Sequence, residues 1–152
     1  MAFDVFISYS TKDIDVVTHI KDMLANDYVS TFFAEHSVEP GDSLTKKIYA
    51  AIRATDLFLL LWSSNSEDSE WVQRELELAR SEEKLIVPIK LDESSELPGT
   101  ISDIKYIPYH EDPRKVPDWI NQNVFEKAKA KSNQQIIWLV IGGALLWLAT
   151  RK

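Results

Sequence analysis

Four short apolar runs recur along the chain: Val5-Phe6-Ile7, Ser30-Thr31-Phe32-Phe33, Leu57-Phe58-Leu59-Leu60-Leu61-Trp62 and Leu85-Ile86-Val87-Pro88-Ile89, with a weaker fifth at Tyr106-Ile107. Runs this short and this continuous read as strands buried on both faces. The segments between them follow a helical period. Thr11 to Asn26 brings Val16, Val17, Ile20, Met23 and Leu24 to one face, and Ser43 to Thr55 does the same with Leu44, Ile48, Ala51 and Ile52. Strand alternating with helix implies parallel crossovers, hence a three-layer α/β fold with ligand sites at the carboxyl ends of the strands. After Asp92 the prolines at 98, 108, 113 and 117 break the pattern, leaving one short strand and a helix from about Pro117 to Lys131.

The third helical segment, Ser69 to about Glu83, places a carboxylate on an apolar face. Ser69 or Asp68 serves as its N-cap. With Trp71 at 0° and about 100° per residue, Val72, Leu76, Leu78 and Ala79 span an arc from about 340° to 140° that must face the sheet. Glu75 falls at about 40°, inside the arc, whereas Gln73, Glu77 and Arg80 point to solvent; Glu82 also falls inside but sits at the fraying end. An ionised carboxylate in such a place costs several kcal/mol (roughly) unless compensated. Two readings remain open at this point. Glu75 pairs with a cation or escapes by a small shift of helix phase, or it lines a cleft beside the strand ends, where it stabilises a developing positive charge or binds ribose hydroxyls.

The far end of the chain differs in kind. Ile136 to Ala149 is an uninterrupted 14-residue run of apolar residues and glycine, with Trp138 and Trp147 near its ends. As a helix it spans about 21 Å, against roughly 30 Å for a hydrocarbon core. The tryptophan positions and the preceding Lys127, Lys129 and Lys131 favour a membrane tail anchor with the domain in the cytoplasm. The alternative is a helix packed on its own domain or in an oligomer.

Charge sharpens this division. The first 126 residues hold 12 Lys and Arg against all 24 Asp and Glu, and the last 26 hold five cations and no acid. A body this acidic repels phosphate backbones, so nucleic acid is not an expected partner. Four glycines leave no room for a P-loop or a G-x-G-x-x-G fingerprint. Without cysteine, and with His19, His36 and His110 scattered, no metal site is expected either. The opening residues lack a secretory signal, which fits the cytoplasmic expectation. A phosphoacceptor receiver of the same topology is excluded because Asp4 and Asp56 precede their strands instead of following them.

Four segments, in order, resemble the successive boxes of a TIR domain: Asp4-Val5-Phe6-Ile7-Ser8-Tyr9-Ser10; Val38-Glu39-Pro40-Gly41-Asp42-Ser43-Leu44; Leu61-Trp62-Ser63; and Ser69-Glu70-Trp71-Val72-Gln73-Arg74-Glu75-Leu76. The resemblance covers roughly residues 3 to 125 and implies a flavodoxin-like fold with a five-stranded parallel sheet. The implied division is a TIR domain over 1–125, a basic, polar linker over 126–135 and an apolar helix over 136–150.

Some TIR domains cleave NAD, and their catalytic glutamate ends a motif similar to Ser69-x-Trp71-Val72-x-x-Glu75, with valine here at the family's frequent cysteine. The resemblance therefore marks as catalytic the glutamate that helical phase singles out. The expected substrate site draws on Ser8, Tyr9, Ser10, Lys12, Phe33, Trp62, Ser69 and Trp71. Tyr9, Phe33, Trp62 and Trp71 are either stacking surfaces for adenine or nicotinamide, or core aromatics. Many NAD-cleaving relatives carry arginine where this chain has Ser10, which leaves Lys12, Lys46 and Lys47 as candidate phosphate contacts.

The expected function is an NAD nucleosidase giving nicotinamide and linear or cyclic ADP-ribose, with NAD as substrate, no cofactor and no metal. Self-assembly, or association with other TIR proteins, would run through the loop Glu39-Pro40-Gly41-Asp42. The alternatives are a non-enzymatic, membrane-tethered TIR adaptor, or a tail that is itself the effector.

Overall fold

The computed structural model describes residues 2–33, 41 and 43–141, with side chains through Asn133. Five parallel strands, β1 (Phe3–Ser8), β2 (Val29–Phe32), β3 (Leu57–Trp62), β4 (Ile86–Lys90) and β5 (Ile107–Pro108), form one sheet in the order β2-β1-β3-β4-β5. A 3-10 turn, Thr11–Asp13, leads into α1 (Ile14–Met23). Then follow α2 (Leu44–Ala54), the short α3 (Ser64–Glu67), α4 (Glu70–Ser81) and α5 (Lys115–Trp119). A π-helical segment, Ile120–Phe125, leads without a break into α6 (Glu126–Ile141).

Both central strands bury both faces, so alternate residues feed two cores. Val5 and Ile7 of β1, with Leu57, Leu59 and Leu61 of β3, pack against Val17, Ile20 and Leu24 of α1 and against Val116, Ile120, Val124 and Ala128 near the chain's end. On the opposite face Phe6, Phe58, Leu60 and Trp62 pack against Ile48 and Ile52 of α2 and Val72, Leu76 and Ala79 of α4. The register places Phe6 beside Phe32 on one neighbour and Phe58 on the other, and their rings stack at 5.2 and 5.4 Å. Each such pair contributes about 0.5–1.5 kcal/mol beyond its area.

The strand order reverses direction between β1 and β3, the place where doubly wound sheets open a crevice at their carboxyl ends. Three serines shape that end. Ser10, Ser43 and Ser69 accept hydrogen bonds from the backbone N–H groups of Lys12, Lys46 and Val72, starting the 3-10 turn, α2 and α4 at the rim. Behind them Asp13 accepts hydrogen bonds from Ser63 Oγ (2.5 Å) and Asn65 Nδ2 (2.8 Å), tying the loop after β1 to the end of β3.

The amino ends carry a different network. Asp56 Oδ2 accepts from the Asp4 backbone N–H at 2.8 Å and from Lys131 Nζ at 2.7 Å, and Lys131 also donates to the Ala2 carbonyl. Burial raises the Asp4 carboxyl above its ordinary range, opposed by the Lys131 charge. Two expectations need correcting here. The segment 126–135, read as a linker, belongs to a continuous helix whose Ala128 is fully buried, and Lys131 is an internal clamp instead of part of a free lysine collar. The helical period beyond Pro117 simply runs on, because the π turn keeps Ile120 and Val124 on the sheet side. Lys131→Ala should lower stability by about 1 kcal/mol or more in urea melts, since it leaves two neighbouring carboxylates facing each other without their cation. An unchanged midpoint would mean that the clamp is ornamental.

Of the apolar tail, the backbone is helical to Ile141, and 142–150 lies outside the described residues. Among the described residues no helix is long and apolar enough to cross a membrane.

Candidate active site

Glu75 reaches the site because α4 packs flat on the sheet. Val72, Leu76 and Ala79 anchor that face, and one turn beyond Trp71 the same face carries Glu75 to the carboxyl end of β1. Ser8 is the last residue of β1 and shares the face of Phe6 two residues earlier, so its hydroxyl points at the same helix. Ser8 Oγ donates to Glu75 Oε1 at 2.8 Å, with both residues buried, Glu75 at 6% exposure. Among the described residues no cation pairs with this carboxylate. Burial is therefore the larger influence and pushes the Glu75 carboxyl up to about 7, with the Ser8 hydrogen bond pulling the other way.

A cavity of about 300 Å³ opens beside it, lined by Ile7, Tyr9, Ser10, Thr11, Leu44, Ile48, Ser69, Trp71 and Glu75. Its walls come from the end of β1 and the 3-10 turn, the first two turns of α2, and the start of α4. Apart from Glu75 the lining carries no charge, only hydroxyls and apolar groups. A carboxylate poised near neutrality in a mostly apolar cleft with a few polar groups is the arrangement expected of a catalytic or ligand-binding site.

The sequence-derived candidates divide cleanly. Glu75, Tyr9, Ser10, Ser69 and Trp71 converge on the cavity, and Ser8 sits behind it, holding Glu75. Trp71, expected on the sheet-facing arc, is instead 42% exposed at the cavity wall, on the first turn of α4. Phe33 and Trp62 lie elsewhere and are corrected to core aromatics. Phe33 is buried against Tyr9, with ring centroids 6.1 Å apart, on the α1 side. Trp62 is buried on the α2 side and donates from Nε1 to the Glu96 carbonyl at 2.8 Å. Lys12 is exposed and does not line the cavity; Lys46 is exposed on the first turn of α2. Of the loop 39–42, only Gly41 is among the described residues, with φ of +93°, a conformation that favours glycine. Glu39, Pro40 and Asp42 lie outside them.

Sequence reasoning missed Ile7, Thr11, Leu44 and Ile48 as lining residues. Leu44 and Ile48 carried a usable signal, being apolar positions in the opening turns of a helix that starts at a strand's carboxyl end. Thr11 carried none. Among the described residues no cluster of His, Cys, Asp or Glu could hold a metal ion.

An α/β sheet in this order matches the flavodoxin-like fold that the four boxes imply. The family model of the TIR domain matches residues 5–124, and the chain belongs to that family. A probable 2′ cyclic ADP-D-ribose synthase from Brachypodium distachyon is 31% identical over 112 residues, covering 70% of this chain and 50% of that protein. The chain thus spans half the length of this curated relative. Among solved structures, the TIR domain of a Toll-related receptor from Hydra magnipapillata superposes with a TM-score of 0.69 at 21% identity, covering 84% of this chain and 99% of that one. The TIR domains of an activated Roq1 resistosome superpose with a TM-score of 0.53 at 24% identity, covering 59% of this chain and 57% of that one. Both structures share the fold.

Proposed function

We propose that this chain is a TIR-domain NAD nucleosidase, and the observation that carries the reading is Glu75, buried on Ser8 in the wall of the cavity at the carboxyl end of β1. In NAD the nicotinamide nitrogen is cationic and bonded to the anomeric carbon of ribose. When that bond breaks, its electron pair leaves with nicotinamide, which departs neutral, and positive charge moves onto the ribose carbon and ring oxygen. An ionised Glu75 facing the ribose stabilises that charge electrostatically, and the apolar walls strengthen the interaction by excluding water. The cation is then captured by water, giving ADP-ribose, or by a hydroxyl of the same molecule, giving a cyclic isomer; either nucleophile loses its proton. The relative in Brachypodium distachyon, a probable synthase of a cyclic product, supports this chemistry without fixing the outcome for this chain.

The test is direct. The full chain, incubated with NAD, should release nicotinamide, measured by chromatography. A folded chain that releases none at any concentration, free or clustered on vesicles, would point to the adaptor instead.

Activity should depend on self-association, a reading supported by the fold shared with the resistosome TIR domains. Gly41 is its lever. A proline there would demand φ near −65° (approximately) where the turn uses +93°. Gly41→Pro is expected to lose concentration-dependent activity and self-association together, read by turnover and by sedimentation of the same samples. Specific activity of the parent that is flat across concentration would end this part of the proposal. The apolar run from Ile136 onward remains our proposed membrane anchor for a cytoplasmic domain, tested by whether carbonate strips the full chain from membranes.

A further inference from the structure

Among the described residues the cavity has no positive charge in its wall, yet the substrate proposed for it carries a pyrophosphate. At about 300 Å³ it lies at the small end of ligand sites. In an acidic domain, two phosphate charges at its rim need a local cation.

Of the cations named from sequence, Lys12, Lys46 and Lys47 are exposed and none is among the described lining residues. Ser10, in place of an arginine, uses its hydroxyl to cap the 3-10 turn. Arg74, one turn along α4 from Trp71, is not itself a lining residue but sits against one. Its guanidinium carbon is 5.8 Å from the centroid of the Trp71 ring, and that ring lines the cavity. The nearest anion, Glu70 Oε2, is 3.9 Å from Arg74 Nη2, and both side chains are well exposed. A contact that long, between solvated groups, is weak and leaves the planar fork of donors open to a better acceptor. The indole face limits where the guanidinium can go without consuming its N–H groups.

We propose that Arg74, braced on Trp71, binds the pyrophosphate of the substrate at the rim of the cavity. This rests on the NAD reading above and deepens it: the arginine that the first box lacks is replaced from α4, the helix that also carries Glu75.

Two probes separate the site from the chemistry. ADP-ribose carries the pyrophosphate but no scissile nicotinamide; nicotinamide riboside carries the scissile bond but no phosphate. With the full chain, Arg74→Ala should weaken ADP-ribose binding about ten- to a hundredfold by calorimetry and raise KM for NAD in parallel, with a smaller change in kcat. The loss on NAD should exceed the loss on nicotinamide riboside by about tenfold or more, and Arg74→Lys should recover part of the binding as a point charge. Equal affinity of Arg74→Ala and parent for ADP-ribose, equal losses on both substrates, or no ADP-ribose binding by the parent would each overturn the assignment. ADP-ribose binding that depends on Arg74 in a chain that never releases nicotinamide would keep this site and remove the nucleosidase.

Discussion

Glu75→Gln is expected to slow nicotinamide release by about a hundred- to a thousandfold, the usual cost of losing one electrostatic stabiliser of a transition state. The substitution keeps the volume and still accepts the Ser8 hydrogen bond, now on an amide oxygen, so the cavity and α4 should be unchanged. Only the charge is lost. Circular dichroism should overlay that of the parent, and the fall should sit in kcat, because the carboxylate matters most where positive charge is greatest. Turnover within a few-fold of the parent, in a variant shown to be folded, would remove Glu75 from the chemistry and leave the buried carboxylate to be explained by assembly alone. A second substitution guards against a merely structural effect. Ser8→Ala removes the donor but leaves the acid, and it should reduce activity far less than Glu75→Gln at a pH where Glu75 is ionised.

The sheet was legible because its strands are buried on both faces. Leu57 to Trp62 has no polar position, and a central strand covered by helices on both faces buries all six of these residues. Glu75 was legible for the complementary reason: on a helix otherwise patterned for burial, one acid at the wrong phase is conspicuous. Trp71 shows where phase stops informing. Angle around a helix says which side a residue faces but not whether anything covers it there, and Trp71 on the first turn of α4 borders the cavity. Trp62 and Phe33 do not line the cavity, because at a strand end the sequence does not say whether a large aromatic is covered by the neighbouring elements, and here both are buried. Arg74 was invisible for a different reason. On sequence it is one more solvated arginine at helical spacing from a glutamate, and only its position against the Trp71 ring brings it next to a lining residue of the cavity.

The charge proposed to act in catalysis should weaken the fold, and this gives the second large effect. In the folded chain the Glu75 carboxyl titrates near 7, against an ordinary value of 4.5. Between those two values the folded chain holds a proton that the unfolded chain has released, so stability falls as pH rises through that window and the full penalty stands above it. At about 1.4 kcal/mol for each pH unit of that window, relieving the penalty is worth up to about 3 kcal/mol. Glu75→Gln should therefore be indistinguishable from the parent in urea melts near pH 4.5 and more stable by about 2–3 kcal/mol at pH 8. Activity should mirror this. The kcat/KM of the parent should rise with pH and level above about 7 as the free carboxyl ionises, whereas kcat should level at lower pH, because the cationic nicotinamide ring favours the carboxylate in the complex. Ser8→Ala, having lost the hydrogen bond that favours the charged form, should move the kcat/KM inflection upward. Stability curves of Glu75→Gln and parent that run parallel from pH 4.5 to 8 would show that the carboxylate is not desolvated in solution. The poised acid at the centre of the mechanism would then be an ordinary surface glutamate.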